Sequence, residues 1–200
     1  MNSLQLQHEI SIIRDMIAKT RRETAESGHL FITLGIVWVA VTLAIGLLEM
    51  NAVNYLIWPV LLIALVLTLV IALMIGLREG KRERVQSYPR QIFGALWIAV
   101  AIPAIFVSFV FPMTGVYEPD LVPVFVSPIL GIGFFLTGII YESKGIVYCS
   151  LSWWIGTVLM AYLGGYARLY IMIAVLIIGY IGPGLILNIQ YKQKTRTNED

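Results

Sequence analysis

Tyr55 to Leu77 reads YLIWPVLLIALVLTLVIALMIGL, and Arg78 to Arg90 directly after it reads REGKRERVQSYPR. The first stretch carries no charge, and the second is crowded with arginine and lysine. A helix rises 1.5 Å per residue, so about 20 apolar residues cross a hydrocarbon core of about 30 Å. The strands of a membrane barrel would instead alternate apolar and polar residues over about 10 positions. Nothing alternates here, so a helix is the expected form, with all its backbone polar groups bonded internally.

Five further runs have the same character: Leu30–Leu48, Ile92–Pro112, Leu121–Tyr141, Gly145–Leu163 and Leu169–Ile189. Composition agrees with them. Apolar residues make up 58% of the chain and charged ones 13%, against roughly 45–50% and about 25% in soluble domains. The mean hydropathy is +0.83. The expected fold class is therefore all-α, a polytopic membrane protein of six transmembrane helices. Residues 1–28 should form a cytoplasmic amphipathic helix, 29–190 the bundle and 191–200 a polar tail. The polar opening has no early apolar segment or small-residue cleavage site, which argues against a removable signal peptide.

Orientation follows from the basic residues. Arg14, Lys19, Arg21 and Arg22 precede the first span; Arg78, Lys81, Arg82, Arg84 and Arg90 separate the second from the third. Lys144 lies between the fourth and fifth, and Lys192, Lys194 and Arg196 follow the sixth. All these fall on one side, leaving Arg168 alone on the other. The positive-inside rule then puts both termini in the cytoplasm. Met50–Asn54, Met113–Asp120 and Gly164–Arg168 become short external turns.

Catalytic chemistry finds little to work with. The only histidines are His8 and His29 and the only cysteine is Cys149, too few ligands for a zinc site. Cys149 has no base partner in its segment and reads as a packing residue. No phosphate-binding loop or nucleophile elbow occurs. Glu118 and Asp120 flank Pro119 in an external turn and read as solvated loop charges rather than a cation site. No enzyme activity, cofactor, metal site or nucleic-acid partner is expected.

Transport needs more than spans. Ion-coupled pathways usually place an ionisable group inside the bundle, and none of the six runs holds one. Glu49 closes the outer end of the first and reads as interfacial. The polar atoms within the spans are hydroxyls, Thr33, Thr42, Thr68, Ser108, Ser127, Thr137, Ser150, Ser152 and Thr157, which commonly bond to their own helix. Pro128, Gly131 and Gly133 interrupt the fourth span and Gly182-Pro183-Gly184 the sixth, at positions that do not correspond. The latter should kink its helix and leave a carbonyl for a neighbour to satisfy. It is read as a packing kink, with an unwound binding element as the other possibility.

GIVWVAV at Gly35–Val41 and GALWIAV at Gly94–Val100 nearly repeat, and Trp154-Ile-Gly-Thr echoes them in the fifth span. Three parallel hairpins would place Trp38, Trp97 and Trp154 in this way. Interfacial tryptophans beside small packing residues account for it equally well.

The start of the chain exceeds what membrane insertion requires. Leu6, Ile10, Ile13 and Ile17 recur at intervals of 4, 3 and 4, which puts them on one stripe of a helix over Ser3–Ser27. Asn2 or Ser3 can cap it, Asp15 and Lys19 form a favourable i, i+4 pair, and Gly28 suits a stop or hinge. The segment has no aromatic anchor and carries Glu9, Asp15, Glu23 and Glu26, so the stripe fits a protein contact better than a lipid surface.

The run from Glu9 to Arg22, EISIIRDMIAKTRR, followed after Gly28 by a span containing Gly35 and Trp38, resembles the opening of a group of small, uncharacterised multi-span bacterial membrane proteins. The likeness covers about the first forty residues and has no catalytic signature. It implies a bacterial inner membrane and no assigned activity, and it carries over no functional residue. Two functions are therefore expected as alternatives. One is a non-enzymatic integral membrane protein that self-associates or binds a regulatory partner through Leu6, Ile10, Ile13 and Ile17. The other is a small transporter or channel using the fourth and sixth helices.

Overall fold

The described connections between spans are only a few residues long, so each must reverse the chain within about one turn. Glu142, with φ 51°, does so in the left-handed region; its N–H bonds the Ile139 carbonyl at 3.1 Å and that of Ser143 bonds Gly138 at 2.8 Å. Ala52 at φ 57° repeats this arrangement, with Val53 N–H on Leu48 and Ala52 N–H on Glu49. Both pairs satisfy carbonyls that a helix end leaves open, in the pattern that usually recruits glycine. Among the described turns, Gly115 (φ 75°) and Gly165 (φ 62°) are the glycines at positive φ.

The computed structural model describes residues 28–80 and 88–196, which contain helices and short turns but no strand. The expected stripe at Leu6, Ile10, Ile13 and Ile17 lies outside the described residues. So do residues 81–87 of the basic loop and the last four residues. Helix α1 covers Gly28–Met50. A 3-10 turn at Asn54–Leu56 leads into α2, Ile57–Gly80. Helix α3, Tyr88–Ile105, continues through a π-helical turn at Phe106–Val110 to a last turn at Phe111–Met113. Helices α4, Val122–Ile140, and α5, Lys144–Tyr162, form a hairpin. Helices α6, Tyr166–Leu176, and α7, Gly182–Arg196, make one rod through a second π-helical turn, Ile177–Ile181.

Six of these rods are long and apolar enough to cross a membrane, each within a few residues of an expected span. The polar tail expected from residue 191 is helical as far as Arg196, because nothing in 191–196 breaks a helix.

The core lies where α1, α4, α5 and the α6–α7 rod meet, around Phe31, Phe134, Trp153, Met160, Leu176 and Leu187. Helix α2 is peripheral: 6% of its spanning segment is buried, against 39% of the α6–α7 rod. It is also the most apolar of the six. Lipid tails are as apolar as leucine, so an outward row of Leu62, Ile63, Val66 and Leu73 costs nothing in a bilayer.

Helix α1 reaches the rod through three glycines. Gly28 faces Gly184 and Leu187, Gly35 faces Tyr180 and Ile181, and Gly46 faces Leu169. Spacings near whole numbers of turns keep all three on one face. Gly28, the first described residue, opens α1 and presses against the backbone of Gly184. The echo between the first and third spans does not extend to the packing of its glycines. Gly35 is in tight contact, whereas a side chain on Gly94 would meet nothing within 4 Å.

Candidate functional site

The chemistry available in the spans starts from their hydroxyls, and most are already committed. Thr33, Thr42, Ser127, Thr137, Ser150, Ser152 and Thr157 each donate to a carbonyl three or four residues earlier in their own helix, at 2.6–2.9 Å. A hydroxyl bonded this way offers little to a passing solute. Among the described residues, Thr68 Oγ1 and Trp97 Nε1 are buried without a hydrogen-bond partner.

The backbone is irregular at two places, and both combine a π-helical turn with a proline two residues beyond its end. At Phe106–Val110 the Phe111 N–H reaches back to the Phe106 carbonyl. Pro112, next in line, has no N–H to give Val107. The Tyr117 hydroxyl donates to that carbonyl instead. Burial pushes the Tyr117 phenol above its ordinary range, so it stays a donor. At Ile177–Ile181 the Gly182 N–H bonds the Ile177 carbonyl, and Pro183 has no N–H to give Ile178 in that register or Gly179 in the α-helical one. The Trp153 indole donates to the Gly179 carbonyl at 3.1 Å.

This corrects the expected pair of interrupted spans. The fourth is continuous, since α4 runs through Pro128 without a break; the third and sixth are the interrupted ones. The signal in the third was a Pro at its C-terminal end, which reads from sequence as a terminator. The kink expected at Gly182-Pro183-Gly184 is a π turn, and a neighbouring helix does satisfy the freed carbonyl.

Adjacent tryptophans of α5 tie α4 to the sixth rod. While Trp153 bonds Gly179, the Trp154 indole points to the Pro128 carbonyl at 3.4 Å. Both neighbours are glycine where the rings approach: a Cβ on Gly179 would stand 2.4 Å from Trp153 Nε1, and one on Gly131 2.8 Å from Trp154 Nε1. Around them the interior is filled by rings. Trp153 stacks on Phe134 with centroids 5.8 Å apart and 8° between planes, and Tyr180 meets both edge-on. Phe31 and Trp97 close the other side of Phe134 at 5.1 and 5.2 Å.

The chain matches no family model, no curated protein and no solved structure.

Cys149 packs beside the break, its Sγ 3.3 Å from where a Cβ on Gly182 would stand. Among the described residues, no three His, Cys, Asp or Glu side chains gather closely enough to hold a metal ion. Asp120, expected as a solvated loop charge, is half exposed and also pairs with Arg168. Arg168 also donates through Nε to the Met160 carbonyl at 3.0 Å. One half-buried guanidinium therefore joins the turn before α4 to the end of α5 and the start of α6. At the other end of the bundle Gln190 donates to Ser143 Oγ at 3.0 Å. Sequence reasoning missed both cross-links because their members lie 47 or 48 residues apart.

Proposed function

We propose that this chain is a non-enzymatic integral protein of the bacterial inner membrane that self-associates or binds a regulatory cytoplasmic partner through its N-terminal helix. The observation carrying this reading is the filled interior. Interlocked rings occupy the centre of the bundle, and the freed carbonyls at the breaks are taken by Tyr117 and Trp153. Such a core supports a scaffold better than a conduit. The stripe of Leu6, Ile10, Ile13 and Ile17 then supplies the interaction. Each side chain, if fully buried, would contribute on the order of 1.5–3 kcal/mol before ordering costs.

Two experiments test it. A reporter active only in the cytoplasm should work after Asp200 or within residues 81–86 and fail at Gly115, because thirteen of the fourteen basic residues flank one side. Activity at Gly115 would break the orientation. Ile10→Asp with Ile13→Asp should leave insertion intact while reducing crosslinking between copies or co-purification of the partner. Unchanged association would remove the stripe as an interface. Failure to accumulate would assign it to packing on its own bundle.

The second reading, a small transporter or channel, draws on the broken third and sixth rods, which hold the same place in each half of the chain. Paired interruptions of this kind mark binding sites in several transporter folds. Substrate-dependent flux in proteoliposomes, lost on altering Pro183, would establish that reading in place of the first.

A further inference from the structure

The alternating spans bring the connections after α1, the third rod and α5 to one end of the bundle, where Arg168 meets Asp120. Helix ends standing in water can leave their last carbonyls to solvent. These ends are closed by their own turns. Asn51 donates through Nδ2 to the Leu47 carbonyl at 2.7 Å, and Thr114 Oγ1 lies 3.0 Å from the carbonyl oxygens of both Val110 and Phe111. The Tyr117 hydroxyl bonds Val107, and Arg168 Nε bonds Met160. Backbone donors turn back in the same way: Val53 N–H bonds Leu48, Val116 N–H bonds Phe111, and Leu163 N–H bonds Leu159. What faces outward is largely apolar. Met113 is 73% exposed, and Met50 and Val116 are each 66% exposed; Leu163 beside Tyr162 continues the pattern in the third turn.

We infer that this end of the bundle is seated in the headgroup layer of the membrane, its three turns sunk among the lipids instead of standing in water. Headgroups add roughly 10–15 Å to the hydrocarbon core, counted over both faces, which leaves room for connections as short as 51–53, 114–118 and 163–165. Backbone groups that approach lipid must be satisfied internally, and here many are. Tyr55, Tyr162 and Tyr166, all more than half exposed, bring amphipathic rings to the level where such rings collect. The exposed apolar groups are also spread over all three turns, as a surrounding lipid layer requires, whereas a protein partner would need them gathered into one patch. The charges fit the same layer. Asp120 is paired with Arg168, and Glu49 and Glu118 are exposed where hydrated headgroups can receive them. The described turn at the opposite end differs, because it exposes both Glu142 and Lys144. The inference goes beyond the proposed function: it rests on the six rods crossing a membrane, not on the N-terminal helix or on which side this end faces.

Collision of spin labels with oxygen, which concentrates in lipid, and with a nickel chelate, which stays in water, tests the seating. The full chain carrying Cys149→Ala would be labelled at Met113→Cys, Val116→Cys or Tyr166→Cys and placed in vesicles of phosphatidylethanolamine and phosphatidylglycerol. Two references bracket the readings: Val66→Cys on the lipid-facing side of α2, and Glu142→Cys in the turn at the opposite end. The three labels should show an oxygen-to-nickel ratio several-fold above that of Glu142→Cys, shifted toward Val66→Cys. A ratio equal to that of Glu142→Cys puts the turns in water and overturns the inference. Weak collision with both reagents means that a second copy of the chain covers the turns, which overturns it equally. All the labelled side chains are exposed, so the bundle should tolerate them. Met50→Cys and Leu163→Cys, exposed in the first and third turns, replace any position whose variant does not fold.

Discussion

Gly184→Ala is expected to part α1 from α7 and lower the stability of the bundle by about 3 kcal/mol, toward the top of the usual range for overpacking. The added methyl would stand 2.7 Å from the Gly28 carbonyl oxygen and 3.0 Å from the Ile32 nitrogen. Backbone atoms cannot rotate aside as the end of a side chain can, so the whole helix has to move. Gly94→Ala is the matching control, because a Cβ there meets nothing within 4 Å. That change should be neutral or stabilising by up to about 1 kcal/mol, since alanine loses less conformational freedom in a helix than glycine. Thermal unfolding in mild detergent reads both. Equal effects at the two positions would remove the α1–α7 contact as the explanation.

Trp153→Ala should cost more, about 3–5 kcal/mol for the cavity together with an unpaired carbonyl at Gly179 worth about 1–3 kcal/mol. Trp153 is fully buried, stacked on Phe134, and bonded to the break in the sixth rod. Trp154→Ala removes a side chain of the same size that is only half-buried and whose bond to Pro128 is long, 3.4 Å. The first variant should lose its sharp peak on gel filtration while the second keeps it. If both behave alike, Trp153 is not the central support.

That contrast shows what could be read in advance. The two tryptophans are neighbours in identical company, and from sequence only the second was singled out, for its echo of Trp38 and Trp97. Which indole turns inward depends on how α5 is rotated about its axis, and that is set by Phe134 on α4 and Tyr180 in the π turn, 19 and 27 residues away. The interrupted spans went the same way. Pro128 looked like a breaker, yet α4 passes through it, whereas Pro112 looked like an end and helps define an irregular turn with Tyr117. A proline states that one donor is missing. Where the freed carbonyl finds another is a matter of neighbours.

The six spans and their near limits were determined by the sequence alone, because crossing a bilayer depends on an unbroken apolar length, a local property of the chain. The commitment of most hydroxyls to their own helices was legible for the same reason, as donor and acceptor are three or four residues apart. The order of burial was not. Lipid and protein interior are equally apolar, so the most apolar span, α2, could as well have been central as peripheral. Tertiary structure decided that, and it decided the partners of Gly28, Arg168 and Trp153, because each meets atoms far along the chain that only packing brings within reach.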